Sequence, residues 1–163
     1  MTAPSDFKPI FQRVAQDDRH SDILAVLASL SNSTLAQIRQ QAEVFGVPQV
    51  GPYHSYTTDG DLIAKVAMSR GLVATNWRES KSFTDLDPVS LALVAYDEDW
   101  QIGRAVLFHR LPADHPSKVA HYVLDPYPHA DSKLHVRTDC SGLVPRWFIG
   151  FTQAAQPKVK GSK

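Results

Sequence analysis

The chain has 163 residues, 43% of them hydrophobic and 21% charged, which suits one globular domain with its own core and excludes a disordered or fibrous chain. Seventeen Lys and Arg balance seventeen Asp and Glu, so there is no basic excess to hold a nucleic-acid backbone, and nucleic acid is not an expected partner. A single cysteine, Cys140, excludes an intramolecular disulfide and cysteine-rich zinc sites; with no apolar window of signal-peptide or membrane-span length, a cytoplasmic protein without membrane insertion is expected.

The first half reads as helices. Ser21 is placed to cap a helix whose Ile23, Leu24, Val26, Leu27 and Leu30 form a broad apolar face, with Asp22 at the positive end of its dipole. Ser31-Asn32-Ser33 breaks it. Ser33 or Thr34 then starts a second helix, with Gln37 in capping-box position to Thr34. Leu35, Ile38, Ala42 and Phe45 share one face, and Gly46 followed by Val47-Pro48 marks the stop. After a turn-rich stretch, Thr58 or Asp59 caps a third helix that directs Leu62, Ile63, Val66, Ala67 and Met68 inward and closes at Gly71.

The second half reads as strands at residues 89–96, 105–111, 120–124, 134–137 and 146–152, short and rich in β-branched and aromatic residues. Turn residues separate them, as at Asp97-Glu98-Asp99 and Asp125-Pro126. Links this short imply antiparallel neighbours, since a parallel pair needs a crossover of about a dozen residues. The expected class is α+β, with N-terminal helices on a C-terminal antiparallel sheet. Residues 1–152 are expected to make one domain, and the polar, basic run 153–163 is expected to be a flexible tail.

This order resembles the papain-like fold in the compact version of the double-glycine leader (bacteriocin-processing) cysteine peptidases, over roughly residues 10 to 152. The segment from Gln12 to Leu24 stands where that family has a Gln, then its nucleophilic Cys opening a buried helix. Pro88-Val89 leading into Ser90-Leu91-Ala92-Leu93 is similar to its central strand, Leu124-Asp125-Pro126-Tyr127 to its strand ending in Asp-Pro, and Trp147-Phe148-Ile149-Gly150-Phe151 to its closing strand. The resemblance implies a bacterial, peptidase-like scaffold.

Its chemistry departs from the pattern. Counting from Gln12, the nucleophile position falls on Asp18, or on Arg19 with one gap, and neither can attack a peptide carbonyl as a thiolate does. The histidine position matches Gly103 or Arg104 at the start of a strand, or His109 when counted back from Asp125. Gln12 and Asp125 keep the family's residue types. The resemblance therefore implies a degenerate peptidase, binding a peptide or protein partner in the former substrate cleft. Asp17, Asp18, Arg19, Arg104 and His109 are expected to make that cleft charged. No cofactor is implied. His109, His115, His121 and His129 crowd together at spacings that fit no metal-ligand motif, and no metal site is expected.

A second resemblance competes. Asp139-Cys140-Ser141-Gly142-Leu143-Val144 is identical to the run that opens the catalytic helix of NlpC-type cell-wall peptidases. It implies an active cysteine hydrolase in a permuted arrangement, using Cys140 with His54, His109 or His121 upstream. Pro145 opposes the helix that motif requires, since proline inside a helix costs roughly 3 kcal/mol.

Overall fold

A computed structural model describes residues 7–155. Four helices, α1 (Asp22–Leu30), α2 (Leu35–Val44), α3 (His54–Thr57) and α4 (Gly60–Ser69), precede seven strands: β1 (Leu72–Ala74), β2 (Arg78–Glu79), β3 (Val89–Asp97), β4 (Ile102–Arg110), β5 (His121–Leu124), β6 (Val136–Arg137) and β7 (Pro145–Gln153). The main path of the sheet runs β1-β7-β3-β4-β5-β6, with β2 added beside β7. Every pairing is antiparallel, as the short links required.

Helix α1 is buried at all nine positions and packs on β4, which makes it the hub of the core. Thr34 and Gln37 exchange both bonds of the capping box at the start of α2, an arrangement worth about 1 kcal/mol. Asp59, not Thr58, caps α4; Thr58 ends the short α3. Two expected inward side chains turn to solvent: Phe45 lies just past α2 and Met68 lies on the outer face of α4. Gly71 adopts φ +77° where the chain leaves α4 for β1, a conformation that glycine reaches without strain.

Side chains alternate across the sheet. Leu91, Leu93, Ala105, Leu107, Leu124 and Ile149 join the helices in the larger core. Ala92, Val94, Val106, Phe108, Val123 and Phe148 form a second cluster on the other face, under Phe83 and Leu86. Both faces of β3 and β4 are therefore covered, which is why Val89 to Val94 reads as a nearly continuous apolar run. Strand β7 extends through Gln153, paired with Leu72, so the expected tail loses its first residue to the sheet; residues 156–163 lie outside the described part.

Between Val94 and Asp97 the β3–β4 register slips. Ala95 sits there at φ +49°, a left-handed conformation unusual for alanine. Opposite it, a Cβ on Gly103 would come within 3.0 Å of both Leu93 and Tyr96. The bulge and the bare glycine together let the Tyr96 ring lie close over β4, a local re-aiming that bulges commonly perform.

Candidate functional site

The N-terminus of α1 meets the first residues of β4 because Asp22 bridges them. This first residue of the helix is 5% exposed. Its carboxylate accepts the Ala105 N–H at 2.8 Å and the Ile23 N–H at 2.9 Å. Burial pushes its carboxyl above the usual carboxylate range, opposed by those two bonds and by nearby His54. Ser21 stands at the N-cap position but does not cap α1. Its buried Oγ accepts the N–H groups of Asp17 and Asp18 instead, folding the preceding loop against the helix.

Arg104 immediately precedes Ala105, and its guanidinium forms an ion pair with Asp125 at the end of β5. Asp125 is 2% exposed; its second carboxylate oxygen accepts the Tyr127 N–H at 3.0 Å. From the N-terminal segment, Arg13 donates to the Asp125 and Tyr127 carbonyls. Arg104 follows the alternation of Val94, Val106 and Phe108, so its side chain and the ion pair leave β4 on the face opposite the one that Ala105 turns to α1.

Gln16, Asp17, Asp18, Arg19, Tyr127, Pro128 and His129 line a hollow of about 190 Å³. Gln16 is held by its N–H to the Pro126 carbonyl at 2.9 Å, and its Nε2 donates to the Asp18 carbonyl at 2.9 Å. Its Oε1 is buried and has no hydrogen-bond partner. Asp17 receives a bidentate pair from Arg39 of α2 at 2.8 and 2.7 Å. That hydrogen-bonded guanidinium pulls its carboxyl down to about 2. Asp18 accepts the Tyr53 hydroxyl at 2.6 Å. Both carboxylates are therefore occupied in tying the loop to α2 and Tyr53.

Several candidate positions move. Asp18 and Arg19 lie three or more residues before α1, so neither opens the helix; Asp22 does, with Gln16 six residues ahead of it. Gln12 belongs to a different hollow, with Asn32, Ser33 and Thr34. That places it at the C-terminal end of a helix about 13 Å long, away from Asp22. Of the three histidine-position alternatives, Gly103 carries no side chain, Arg104 reaches Asp125 and His109 does not. Five residues further along β4, about 16 Å at strand rise, His109 packs edge-on against Phe11 and Tyr122. Its Nδ1 lies 3.0 Å from the Tyr122 hydroxyl, which also accepts the N–H groups of Ile10 and Phe11. His109 is a core residue pinning the N-terminal segment. The expected glutamine is Gln12; Gln16 stands six residues before Asp22, and the apolar run from Ile23 to Leu30 is the signal that points to it.

Cys140 stands in the loop before β7, half-buried against the second apolar cluster. A turn follows it, closed by the Leu143 N–H on the Cys140 carbonyl. Burial pushes the thiol up to about 11, with Asp139 adding to the rise and Arg137 opposing it. No hydrogen bond joins it to a histidine among the described residues. Among those residues, too, no group of three or more His, Cys, Asp or Glu is placed to hold a metal ion, and no helix is long and apolar enough to cross a membrane.

No family model matches the chain, and no curated protein does. Solved structures do. The peptidase domain of Streptococcus ComA, a bifunctional ABC transporter involved in quorum sensing, superposes with a TM-score of 0.55 at 14% identity, over 88% of this chain and 98% of that one. A double-glycine-motif protease from an AMS/PCAT transporter, solved with its leader peptide, gives 0.54 at 13% identity, over 94% of this chain and 99% of that one. The likeness extends over most of both chains: the fold of this chain is that of the double-glycine leader-peptidase domains.

Proposed function

We propose that this is a papain-like domain that binds a peptide segment without cutting it, in the cleft where α1 opens against β4. The observation that carries the reading is the opening of α1, where the Asp22 carboxylate is bonded to the Ala105 and Ile23 N–H groups. At the start of the strand, where the leader-peptidase pattern has a histidine, this chain has Gly103 and Arg104. Glycine has no side-chain base and a guanidinium offers donors only, so neither can take a proton from a nucleophile. Asp22 occupies the helix opening, six residues after Gln16, in the place of the thiol. A thiolate there draws on the helix dipole to attack a carbonyl; a carboxylate already engaged by two N–H groups serves to fasten α1 to β4.

Peptide binding is supported by the neighbour solved with a leader peptide and by the hollow beside Asp125. Asp17, Asp18 and His109 are engaged inside the fold, so the recognising groups in this reading are Arg19, Tyr127 and His129. Arg19 is exposed and Tyr127 is 41% exposed, so both can meet an extended peptide. The reading places the protein in the cytoplasm, where its lone thiol remains reduced.

The test is a titration of a fluorescein-labelled double-glycine leader peptide followed by anisotropy. The reading expects saturable binding that Arg19→Glu and Tyr127→Ala each weaken, while Cys140→Ser leaves it unchanged. Absence of saturable binding, or binding indifferent to both cleft substitutions, contradicts it.

A further inference from the structure

At the same end of the sheet, beyond Arg104, a second cavity of about 250 Å³ is lined by Thr58, Trp77, Leu93, Tyr96, Gln101 and Trp147. Three aromatic rings bound a space the size of one long side chain, and they are held rather than loose. The Trp77 indole N–H donates to the Thr58 carbonyl at 2.9 Å. Tyr96 is set by the Ala95 bulge and the close approach that Gly103 permits. Trp147 is fixed in the ladder opposite Glu79 and Leu93.

The surroundings are acidic. Asp97, Glu98 and Asp99 follow Tyr96, Asp59 follows Thr58, and Glu79 pairs across from Trp147. The nearby arginines are already engaged. Arg146 bonds Glu98 at 2.5 Å and lies 3.5 Å from Glu79, while Arg78 pairs with Asp87 and stacks on the Phe148 ring. Arg146 also sits 5.7 Å from the centre of the Trp147 ring, so one face of that ring already meets a cation. Aromatic faces attract cations through their quadrupole, most strongly for tryptophan, and the exposed carboxylates of Asp97 and Asp99, in the turn between Tyr96 and Gln101, favour the same sign of charge.

We infer that this cavity takes the ammonium or guanidinium end of a lysine or arginine side chain presented by the bound peptide. The inference rests on the peptide-binding reading for its ligand, and on the aromatic cavity and its acidic rim for the chemistry.

Indole N–H signals of the full-length ¹⁵N-labelled protein test it, since the three tryptophans give separate reporters. Nα-acetyl-lysine methylamide should shift Trp77 and Trp147 saturably and leave the exposed Trp100 unmoved. Its uncharged counterpart, Nα-acetyl-norleucine methylamide, should bind about two- to fivefold more weakly. The preference should disappear in Trp147→Leu and shrink in the surface pair Asp97→Asn with Asp99→Asn, which does not touch the core. Equal or tighter binding of the norleucine compound, or no shift with either compound, overturns the inference. Leader-peptide binding that still responds to Arg19→Glu and Tyr127→Ala in that event leaves the broader reading standing.

Discussion

Arg104 and Asp125 face each other across the gap between the start of β4 and the end of β5, with the arginine side chain 30% exposed and the aspartate 3% exposed. The pair joins the sheet to the loop that carries Tyr127, and Arg13 reinforces it through the Asp125 and Tyr127 carbonyls. It ties β4 to the loop after β5 on the sheet face opposite α1.

Removing the arginine strands a buried carboxylate. Arg104→Ala should lower stability by about 2 kcal/mol. That is below the 3 to 5 kcal/mol typical of a fully buried pair, because Arg104 keeps some contact with water. Arg104→Lys should recover part of the loss. Urea denaturation at neutral pH measures both, and an alanine variant as stable as the parent would show the pair to be idle.

Asp22 should make stability fall as pH rises. Its folded-state pKa is raised, chiefly by burial, so above about pH 4 the unfolded chain ionises at this residue before the folded one does. The parent then loses stability relative to Asp22→Asn between about pH 4 and the raised folded value. Denaturation of both proteins at several pH values across that window gives the difference, which a non-titrating role would leave flat.

Asp17 works in the opposite sense. Arg39 holds its carboxyl at about 2, so its contribution is present above the unfolded value of about 4 and is lost as pH falls toward 2. The advantage of the parent over Asp17→Asn should therefore shrink in acid, and salt should screen it, since the side chain is half exposed. A difference that persists at pH 2 contradicts the ion-pair assignment.

Cys140 should be a poor nucleophile. With the thiol pushed up to about 11, alkylation by iodoacetamide should be slow at pH 7 and still be rising at pH 9. A rate profile with a midpoint below about 7.5 would instead mark an activated thiol and revive the NlpC-like alternative.

Much of this fold was legible in the sequence because its elements are strongly punctuated. Thr34 with Gln37, Gly46 and Gly71 fix helix ends through local hydrogen bonds and backbone freedom, and the β-branched runs mark β3, β4, β5 and β7, the four strands of four or more residues. Strands β1 and β2 were not, because three and two residues carry no periodicity and exist only through pairing with β7. The site was half legible. Asp125 and Arg104 were among the candidates, and the scaffold identified their neighbourhood. Gln12 and His109 shared residue type and spacing with a catalytic pattern, and only the packing of the N-terminal segment across α1 separates them from Gln16 and Arg104. Asp22 looked like ordinary first-turn acid; its bond to Ala105, 83 residues away, is a tertiary contact that no local pattern carries.

The central claim is that the cleft binds and does not cut. The most direct measurement is mass spectrometry of a double-glycine leader peptide incubated with the purified protein at concentrations where anisotropy reports it bound. Peptide that stays intact while bound is the predicted result; a product cleaved after the double glycine, formed by the parent and absent when Asp22 or Arg104 is replaced, would contradict it.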